Sequence, residues 1–263
     1  MTEQSRVVLN EVVRRYEGPP AVHALGPINL TLRRGEFFSI VGPSGCGKST
    51  LLDVLCGLVR PTSGSVHFEG RELGGEVPDG IGVVFQEDSS MPWLSVRQNV
   101  AFGLRTSGKP EKEIAELVDH AVSFMGLAQF ANHHPAQLSG GMRQRVCIAR
   151  TLVLRPRLIL LDEPFGALDQ QTRLLMGDEL LRLWRETGST VLLITHALDE
   201  AAMLSDRVGV MSARPGRFID MVETGWPRDR DSRIVSDPEF GSFTARLWSC
   251  LREESLKTMG RAA

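Results

Sequence analysis

The sequence predicts an α/β fold organised around a largely parallel sheet. Three short segments, Phe37–Val41, 158–161 and 191–194, are almost entirely apolar, as expected of strands covered on both faces. Helical patterns follow the first two segments, which favours parallel strands joined by crossover helices. A glycine-rich turn, 42–47, joins the first strand to a helix that begins at Lys48. The alternation of strands and helices therefore defines the predicted core.

Composition and charge narrow the class of protein. The chain has 263 residues, of which 42% are hydrophobic, so it can bury a substantial core. Its 30 basic and 32 acidic residues give a net charge of −2, which argues against a broad nucleic-acid interface. No apolar run approaches the roughly 20 residues of a membrane-spanning helix, and segment 1–10 lacks the apolar stretch of a signal peptide. We expect a soluble protein whose membrane component, if it has one, is another chain.

The cysteines and a histidine pair give no sign of a metal site. His133 and His134 are adjacent, but no further ligands lie near them, so we expect them to be loop residues. No two cysteines form a CxxC pair, and we expect reduced, mostly buried thiols at Cys46, Cys56, Cys147 and Cys250.

Further patterns indicate strands near the N-terminus, a helical insertion and a C-terminal tail. Partial alternation over 6–14 is typical of an edge strand, and glycines over 64–75 suggest hairpin strands and turns. Helical spacing over 95–155 interrupts the strand–helix alternation, which indicates a helical insertion. The composition changes after Gly225, and a tail helix is expected to pack back on the domain through Phe240, Phe243, Leu247 and Leu251.

The turn after the first buried strand is a phosphate-binding loop, or P-loop. Its glycines let backbone N–H groups curl around phosphate oxygens, and the following helix contributes its N-terminal partial positive charge. Lys48 can reach the terminal phosphates, and Ser49 can ligate Mg²⁺. The predicted nucleotide-binding residues of this loop are Gly42, Pro43, Ser44, Gly45, Cys46, Gly47, Lys48, Ser49 and Thr50.

Two acidic residues follow the strand at 158–161. Carboxylates at the end of such a strand lie beside the ligand crevice of an α/β sheet. Asp162 is therefore expected to hold Mg²⁺ through its water shell, and Glu163 to polarise the attacking water.

A second phosphate-facing helix start is predicted near Ser139. Ser139 can cap the helix that contains Met142, and Gly140 and Gly141 expose its first N–H groups. One chain thus offers two phosphate-facing surfaces. Either it binds two nucleotides, or two chains grip each nucleotide.

The motifs together resemble those of the ABC ATPases, and segment 138–145 resembles the signature motif of that family. The resemblance implies a P-loop NTPase, with a RecA-like mixed sheet core, an N-terminal antiparallel β part and a helical ABC-specific subdomain. It implies an ATPase domain over 6–225, with the helical subdomain inserted at about 87–157. A C-terminal extension, 226–263, would carry a short helix. ATP and Mg²⁺ are the implied substrate and cofactor.

The resemblance also implies roles for residues outside the phosphate loop. Gln86 resembles the residue that touches Mg²⁺ and senses the permease, and Asp169 lies in a segment, 167–169, that resembles the D-loop. His196 resembles the histidine that contacts the γ-phosphate. Tyr16, the only tyrosine, resembles the aromatic residue that stacks on adenine. Lys48, Gln86, Glu163 and His196 would form the catalytic set. Two chains, most simply identical, would then bind ATP head to tail between the P-loop of one and the signature of the other.

A narrower resemblance joins the chain to the nitrate, sulfonate and taurine importers. It rests on segments 92–100, 140–145 and 162–169. It implies a peripheral subunit on the cytoplasmic face of the membrane, bound to permease subunits and served indirectly by a solute-binding protein. The transported compounds would be small anions, or aromatic and heterocyclic molecules, and no nucleic acid is expected.

Other functions remain open at this point. A soluble ABC ATPase could act on ribosomes, DNA or iron–sulfur assembly, but the chain has one cassette and no extended heptad pattern. An exporter subunit is a second alternative, although the segment at Pro92 and Trp93 favours import. A non-catalytic interaction module is disfavoured by the presence of Glu163 and His196.

Overall fold

The computed structural model describes residues 5–86, 89–166 and 168–260, which form two sheets and the helices around them. The strands are β1 (Ser5–Tyr16), β2 (Val22–Arg33), β3 (Phe37–Val41), β4 (Ser63–Phe68), β5 (Arg71–Glu72), β6 (Ile81–Val84), β7 (Leu158–Asp162), β8 (Thr190–Ile194), β9 (Arg207–Met211) and β10 (Phe218–Glu223). The helices are α1 (Lys48–Leu55), α2 (Val96–Ala101), α3 (Glu111–Phe124), α4 (Gly140–Leu152), α5 (Gln170–Thr187), α6 (Leu198–Leu204) and α7 (Pro238–Gly260).

The larger sheet is mixed, as the resemblance implied. Its strand order is β10-β9-β3-β8-β7-β6, and only β10 runs antiparallel to its neighbour. Every residue of β3, β7 and β8 is buried. Phe37 and Val41 join the hydrophobic cluster that contains the inserted helices, whereas Phe38 and Ile40 join the cluster on the opposite face. This division explains why these strands are apolar at successive positions.

The smaller sheet is antiparallel, with the order β2-β1-β4-β5. The expectation of an edge strand over 6–14 is wrong, because β1 lies between β2 and β4. The partial alternation has a different cause. Val7, Leu9 and Val12 are buried in the core that α1 shares with the larger sheet, while Asn10 and Glu11 are exposed.

The predicted helical insertion contains α2, α3 and α4, between β6 and β7. The buried side chain of Asn99 holds the turn before α2. Its Oδ1 accepts a hydrogen bond from the Met91 N–H at 2.8 Å, and its Nδ2 donates to the Leu94 carbonyl at 3.0 Å. The turn therefore presents Trp93 to solvent, with 72% of the residue exposed.

The C-terminal helix is longer than the short helix expected from the sequence. Helix α7 has 23 residues, and its buried face is formed by Phe240, Phe243, Leu247 and Leu251, as the spacing predicts. This face packs into the larger hydrophobic cluster. Within the described residues, no helix is both long and apolar enough to span a bilayer.

The cysteines occupy the environments expected of reduced thiols. Cys46, Cys56 and Cys147 are buried and Cys250 is partly buried, and within the part of the chain that the structure describes none of the four forms a disulfide bond. Burial raises the pKa of the Cys56 thiol to about 12, so this side chain remains neutral.

Two arginines join the C-terminal extension to the core at a buried tryptophan. The guanidinium carbons of Arg228 and Arg230 lie 4.2 and 4.9 Å from the ring centroid of Trp184. Arg230 is itself buried and donates to Asp206 Oδ1 at 2.8 Å and to the Leu204 carbonyl at 2.5 Å. Because desolvation of a guanidinium is costly, these charge-assisted bonds fix the path of the extension.

We predict that Trp184→Ala lowers the free energy of unfolding by about 3–5 kcal/mol, because it leaves a cavity and removes the platform under both guanidinium groups. Denaturant titration measures the change. Trp248→Ala, at a position that is 55% exposed, is the matched control and should change stability by less than about 0.5 kcal/mol. Equal losses for the two variants would contradict this account.

Candidate active site

The phosphate loop connects β3 to α1 at the carboxyl edge of the larger sheet. Gly45 and Gly47 have φ values of +72° and +111°, which favour glycine. A Cβ atom added to Gly47 would lie 2.8 Å from the Ala24 carbonyl oxygen, and one added to Gly42 would lie 2.9 Å from Cys46 Sγ. The loop therefore needs glycine both for its turns and for its close packing.

Lys48 lies inside this loop. Its Nζ donates to the Gly42 carbonyl at 2.8 Å and to the Pro43 carbonyl at 3.1 Å, and its third contact is Cys46 Sγ at 3.9 Å. A phosphate oxygen is a stronger acceptor than that sulfur. Burial raises the pKa of the Cys46 thiol, although Lys48 opposes the shift. The two carbonyl contacts hold the Lys48 ammonium group inside the loop, where phosphates would enter.

The remaining residues of the motif line the outer bend and the first helical turn. Ser44 and Gly45 are exposed, and Ser49 and Thr50 belong to the start of α1. The helix begins at Lys48, so its first N–H groups face the loop.

Asp162 ends β7 and is 8% exposed. Burial raises the pKa of its carboxyl group, and a hydrogen bond with the Ser49 side chain opposes this shift. The neighbouring Glu163 carboxylate raises the pKa further. A divalent cation would relieve the excess of buried negative charge, so the Asp162–Ser49 pair fits Mg²⁺.

Three predicted catalytic residues meet at one oxygen atom. Gln86 Nε2 donates to Glu163 Oε2 at 2.9 Å, and His196 Nδ1 lies 3.2 Å from the same oxygen. These residues follow β6, β7 and β8, so adjacent strands bring them together. Glu163 has a φ of +45°, and its N–H donates to the Ile194 carbonyl at 2.8 Å. This strained backbone directs the carboxylate towards its two neighbours.

Sequence reasoning missed a buried group behind His196. Glu200 is 5% exposed, accepts a hydrogen bond from Thr195 Oγ1 at 2.7 Å and lies 3.2 Å from Arg173 Nε. Burial raises the pKa of Glu200, and the Thr195 hydroxyl and Arg173 oppose the shift. Arg173 also donates to the Leu168 carbonyl at 3.1 Å. An acidic residue four positions after a histidine carries no distinctive signal, so only the structure identifies this link.

The signature segment forms a separate surface at the start of α4. Ser139 Oγ accepts a hydrogen bond from the Met142 N–H at 3.3 Å, as expected of a helix cap. Ser139 and Gly140 are exposed. A Cβ atom on Gly141 would lie 2.6 Å from Leu168 Cδ2, so the signature turn packs against the segment before α5. Among the described residues, no hydrogen bond joins this turn to the phosphate loop.

Asp169 caps α5 at the exposed surface beside the signature turn. Its carboxylate accepts hydrogen bonds from the Thr172 hydroxyl at 2.6 Å and the Thr172 N–H at 3.0 Å. These bonds lower the pKa of Asp169, so the side chain carries its charge. Ala167, in the same predicted D-loop, lies outside the described residues, as do residues 87 and 88 of the predicted helical subdomain.

Tyr16 lies at the end of β1 and is partly exposed. The guanidinium carbon of Arg14 is 4.4 Å from its ring centroid, so one face of the ring is covered. Arg14 pairs with Leu25 in β2, and Leu25 packs against Gly47. The tyrosine is therefore connected to the phosphate loop through two neighbouring strands.

Comparisons with known proteins show which family the chain is similar to. The sequence profile described as "ABC transporter" matches residues 25–166. A taurine import ATP-binding protein of Pelagibacter ubique is 46% identical over 210 residues, covering 80% of this chain and 78% of the relative. A nitrate import ATP-binding protein of Synechocystis sp. is 42% identical over 238 residues, covering 88% and 89%.

A solved structure of an ATP-binding cassette is also similar to this chain. A dimeric, post-hydrolysis ATP-binding cassette bound to ADP and Pi has a TM-score of 0.76 and 33% identity, covering 84% of this chain and all of that chain (100%). The resemblance seen in the motifs is therefore confirmed by a profile match over residues 25–166 and by relatives that cover 80–88% of the chain. The protein belongs to the ABC transporter family and is an ABC-type ATPase.

Proposed function

We propose that this chain is the ATP-hydrolysing subunit of an ABC importer, in which two copies bind MgATP between them and drive a separate membrane permease. The observation that carries the proposal is the convergence of Gln86 and His196 on the Glu163 carboxylate, beside a phosphate loop. That arrangement joins a group able to activate water to a group able to hold phosphates.

The phosphate loop would bind the triphosphate. Lys48 would exchange its weak contact with Cys46 Sγ for a charge-assisted hydrogen bond to a phosphate oxygen. The N–H groups at the start of α1 would face the same phosphates. Tyr16 would stack on the adenine through the ring face that Arg14 leaves uncovered.

Ser49, Asp162 and Gln86 would hold Mg²⁺, the Asp162 carboxylate through its water shell. When bound, the ion would neutralise part of the phosphate charge that builds up in the transition state. The Asp162 carboxylate supplies the negative charge for the ion, and the Ser49 hydroxyl supplies a neutral oxygen ligand.

Glu163 would polarise the attacking water. Gln86 and His196 hold its Oε2, so the direction of the carboxylate is fixed and Oε1 would accept the proton. The side chain of His196 is 65% exposed and would also contact the γ-phosphate.

A second chain would complete the site. Ser139, Gly140 and Gly141 form a phosphate-facing helix start on a surface apart from the phosphate loop of the same chain. In a head-to-tail dimer, most simply of identical chains, this surface would face the partner's nucleotide. The charged side chain of Asp169 lies at the same exposed surface.

Support for import comes from the relatives and from one exposed turn. The two relatives described above are named for taurine import and nitrate import, which favours sulfonates, taurine or nitrate over aromatic and heterocyclic compounds. Trp93, which follows Gln86 in the chain, is held outward by Asn99 and would contact the permease. The chain would thus act at the cytoplasmic face of the membrane, and a solute-binding protein would act on the permease rather than on this subunit.

We predict that Glu163→Gln retains ATP binding and slows hydrolysis by about 10²–10⁴-fold, because the amide cannot accept the proton of water. Phosphate release measures the rate, and ATP titration measures binding. Glu186→Gln, an exposed substitution near the end of α5, should hydrolyse ATP at the unmodified rate. A rate for Glu163→Gln near that of the control would remove Glu163 from this role.

Ser139→Arg should abolish turnover while ATP binding by the single chain stays intact. The added side chain would clash only with nucleotide held by the partner, since Ser139 lies apart from the phosphate loop of its own chain. Steady-state hydrolysis and ATP titration measure the two properties. Full hydrolytic activity would exclude a site shared between two chains.

The importer assignment is tested by pull-down of tagged Glu163→Gln protein from detergent-solubilised membranes in the presence of ATP. We expect a polytopic membrane protein to copurify, and hydrolysis by that complex to respond to sulfonates or nitrate together with a solute-binding protein. Recovery of ribosomes, DNA or iron–sulfur assembly proteins instead would keep the ATPase chemistry and reject the transport role.

A further inference from the structure

We infer that the turn at 212–217 and helix α7 position the phosphate loop, with Arg214 and Glu254 as the positioning residues. The inference rests on the proposal that segment 42–49 holds the phosphates of ATP. It adds to that proposal a determinant of nucleotide affinity that lies in the last fifth of the chain.

The turn between β9 and β10 lies against the phosphate loop. Arg214 Nε donates to the Gly45 carbonyl at 3.1 Å. A Cβ atom on Gly216 would lie 2.2 Å from the Cys46 carbonyl oxygen, so the two backbones are in direct contact there. Met211, at the end of β9, lies against Gly42, where an added Cβ atom would be 3.1 Å from Met211 Cβ. The turn therefore contacts the loop at Gly45 and Cys46, and the end of β9 contacts it at Gly42.

Hydrogen bonds fix the conformation of the turn at 212–217 and its position beside β2. The Ser212 N–H donates to the Arg217 carbonyl at 2.8 Å, and Ser212 Oγ accepts from the Arg217 N–H at 3.1 Å. The Gly216 N–H donates to the Ala24 carbonyl of β2 at 3.0 Å, and the Gly26 N–H donates to the Gly216 carbonyl at 2.9 Å. The turn is thus tied both across itself and to the antiparallel sheet.

Helix α7 holds the turn from the other side. Glu254 is 7% exposed, and its Oε2 accepts a hydrogen bond from the Ala213 N–H at 2.7 Å. Its Oε1 pairs with Lys257, one turn further along the helix. Ala213 is also buried, so loss of the carboxylate would leave its N–H without an acceptor. Ala213 precedes Arg214, so only two hydrogen bonds separate α7 from the phosphate loop.

The contact at Gly45 has a direct consequence for the direction of the N–H groups in the loop. The C=O and N–H of a trans peptide unit point in opposite directions. When Arg214 holds the Gly45 carbonyl outward, the following N–H, that of Cys46, points into the loop and donates a long hydrogen bond, 3.3 Å, to the Pro43 carbonyl, which a phosphate oxygen would replace as acceptor. An anion needs these inward N–H groups.

This geometry predicts that loss of the support weakens the affinity for ATP and leaves the rate of hydrolysis unchanged. Without the support, the loop would populate other conformations, and ATP binding would have to select the competent one. Glu163, Gln86 and His196 make no hydrogen bond to the turn within the described residues. The KM for ATP should therefore rise while kcat is maintained.

The experiment compares single variants of the full chain. Arg214→Ala and Glu254→Ala should each raise the KM and the Kd for ATP about three- to tenfold, as expected from the loss of one hydrogen bond, with kcat within about twofold. Glu254→Gln should restore most of the affinity, because its amide oxygen can still accept from Ala213. The matched controls are Arg252→Ala and Glu253→Ala, which remove a cation and an anion from the exposed face of α7. Both should bind ATP normally.

The double variant Arg214→Ala with Glu254→Ala tests whether the two residues act along one path. A combined increase in Kd smaller than the product of the single increases supports the inference, since coupled residues do not add independently. Unchanged Kd and KM in both single variants, with a lowered Tm alone, would reduce the two residues to structural anchors and overturn it.

Lys48→Ala, measured alongside, separates this inference from the proposed site on which it rests. If Lys48→Ala weakens ATP binding about tenfold while the Arg214 and Glu254 variants bind normally, only the positioning role fails. If Lys48→Ala also binds ATP normally, the assignment of the phosphate loop fails, and the inference fails with it.

Discussion

The hydrogen-bonded register of the parallel strands fixes where the side chains of the proposed active site lie. Asp162 at the end of β7 pairs with Ile194 at the end of β8, and Val84 at the end of β6 pairs with Leu161. Loops that are distant in sequence therefore leave the sheet side by side. A slip of one residue would turn each strand's side chains to the opposite face and separate the loops. The site consequently depends on the two hydrophobic clusters that hold the sheet in register.

A continuous set of contacts joins the residues proposed for hydrolysis to the surface proposed for the partner chain. Gly141 packs against Leu168, and Arg173 binds the carbonyl of Leu168. Arg173 also pairs with Glu200, which accepts a hydrogen bond from Thr195, the residue before His196. Arg173 of α5 therefore links the segment beside the signature turn to Glu200 and Thr195, and His196, the residue after Thr195, lies 3.2 Å from Glu163 Oε2. Such a chain of contacts gives a physical route by which closure on a partner would affect the geometry of hydrolysis.

The sequence patterns predicted the parts of the fold that are set by local chemistry. Continuous apolar segments identified β3, β7 and β8, because both faces of these strands are buried. The resemblance assigned roles to Gln86 and His196, but their meeting at one oxygen depends on strand order, which no local pattern encodes. The edge-strand expectation for 6–14 failed because alternation reports one covered face and says nothing about how many neighbours a strand has. The length of α7 was missed because its later turns carry charged residues on an exposed face.

The hydrogen bond from Ala213 to Glu254 lies outside residues 25–166, the part of the chain that matches the family profile. Residues that perform the chemistry are constrained by the reaction, whereas the support beneath the phosphate loop is built partly from the C-terminal extension. On the proposed positioning role, substitutions in this extension would change how tightly the chain holds its nucleotide while the proposed catalytic residues stay the same.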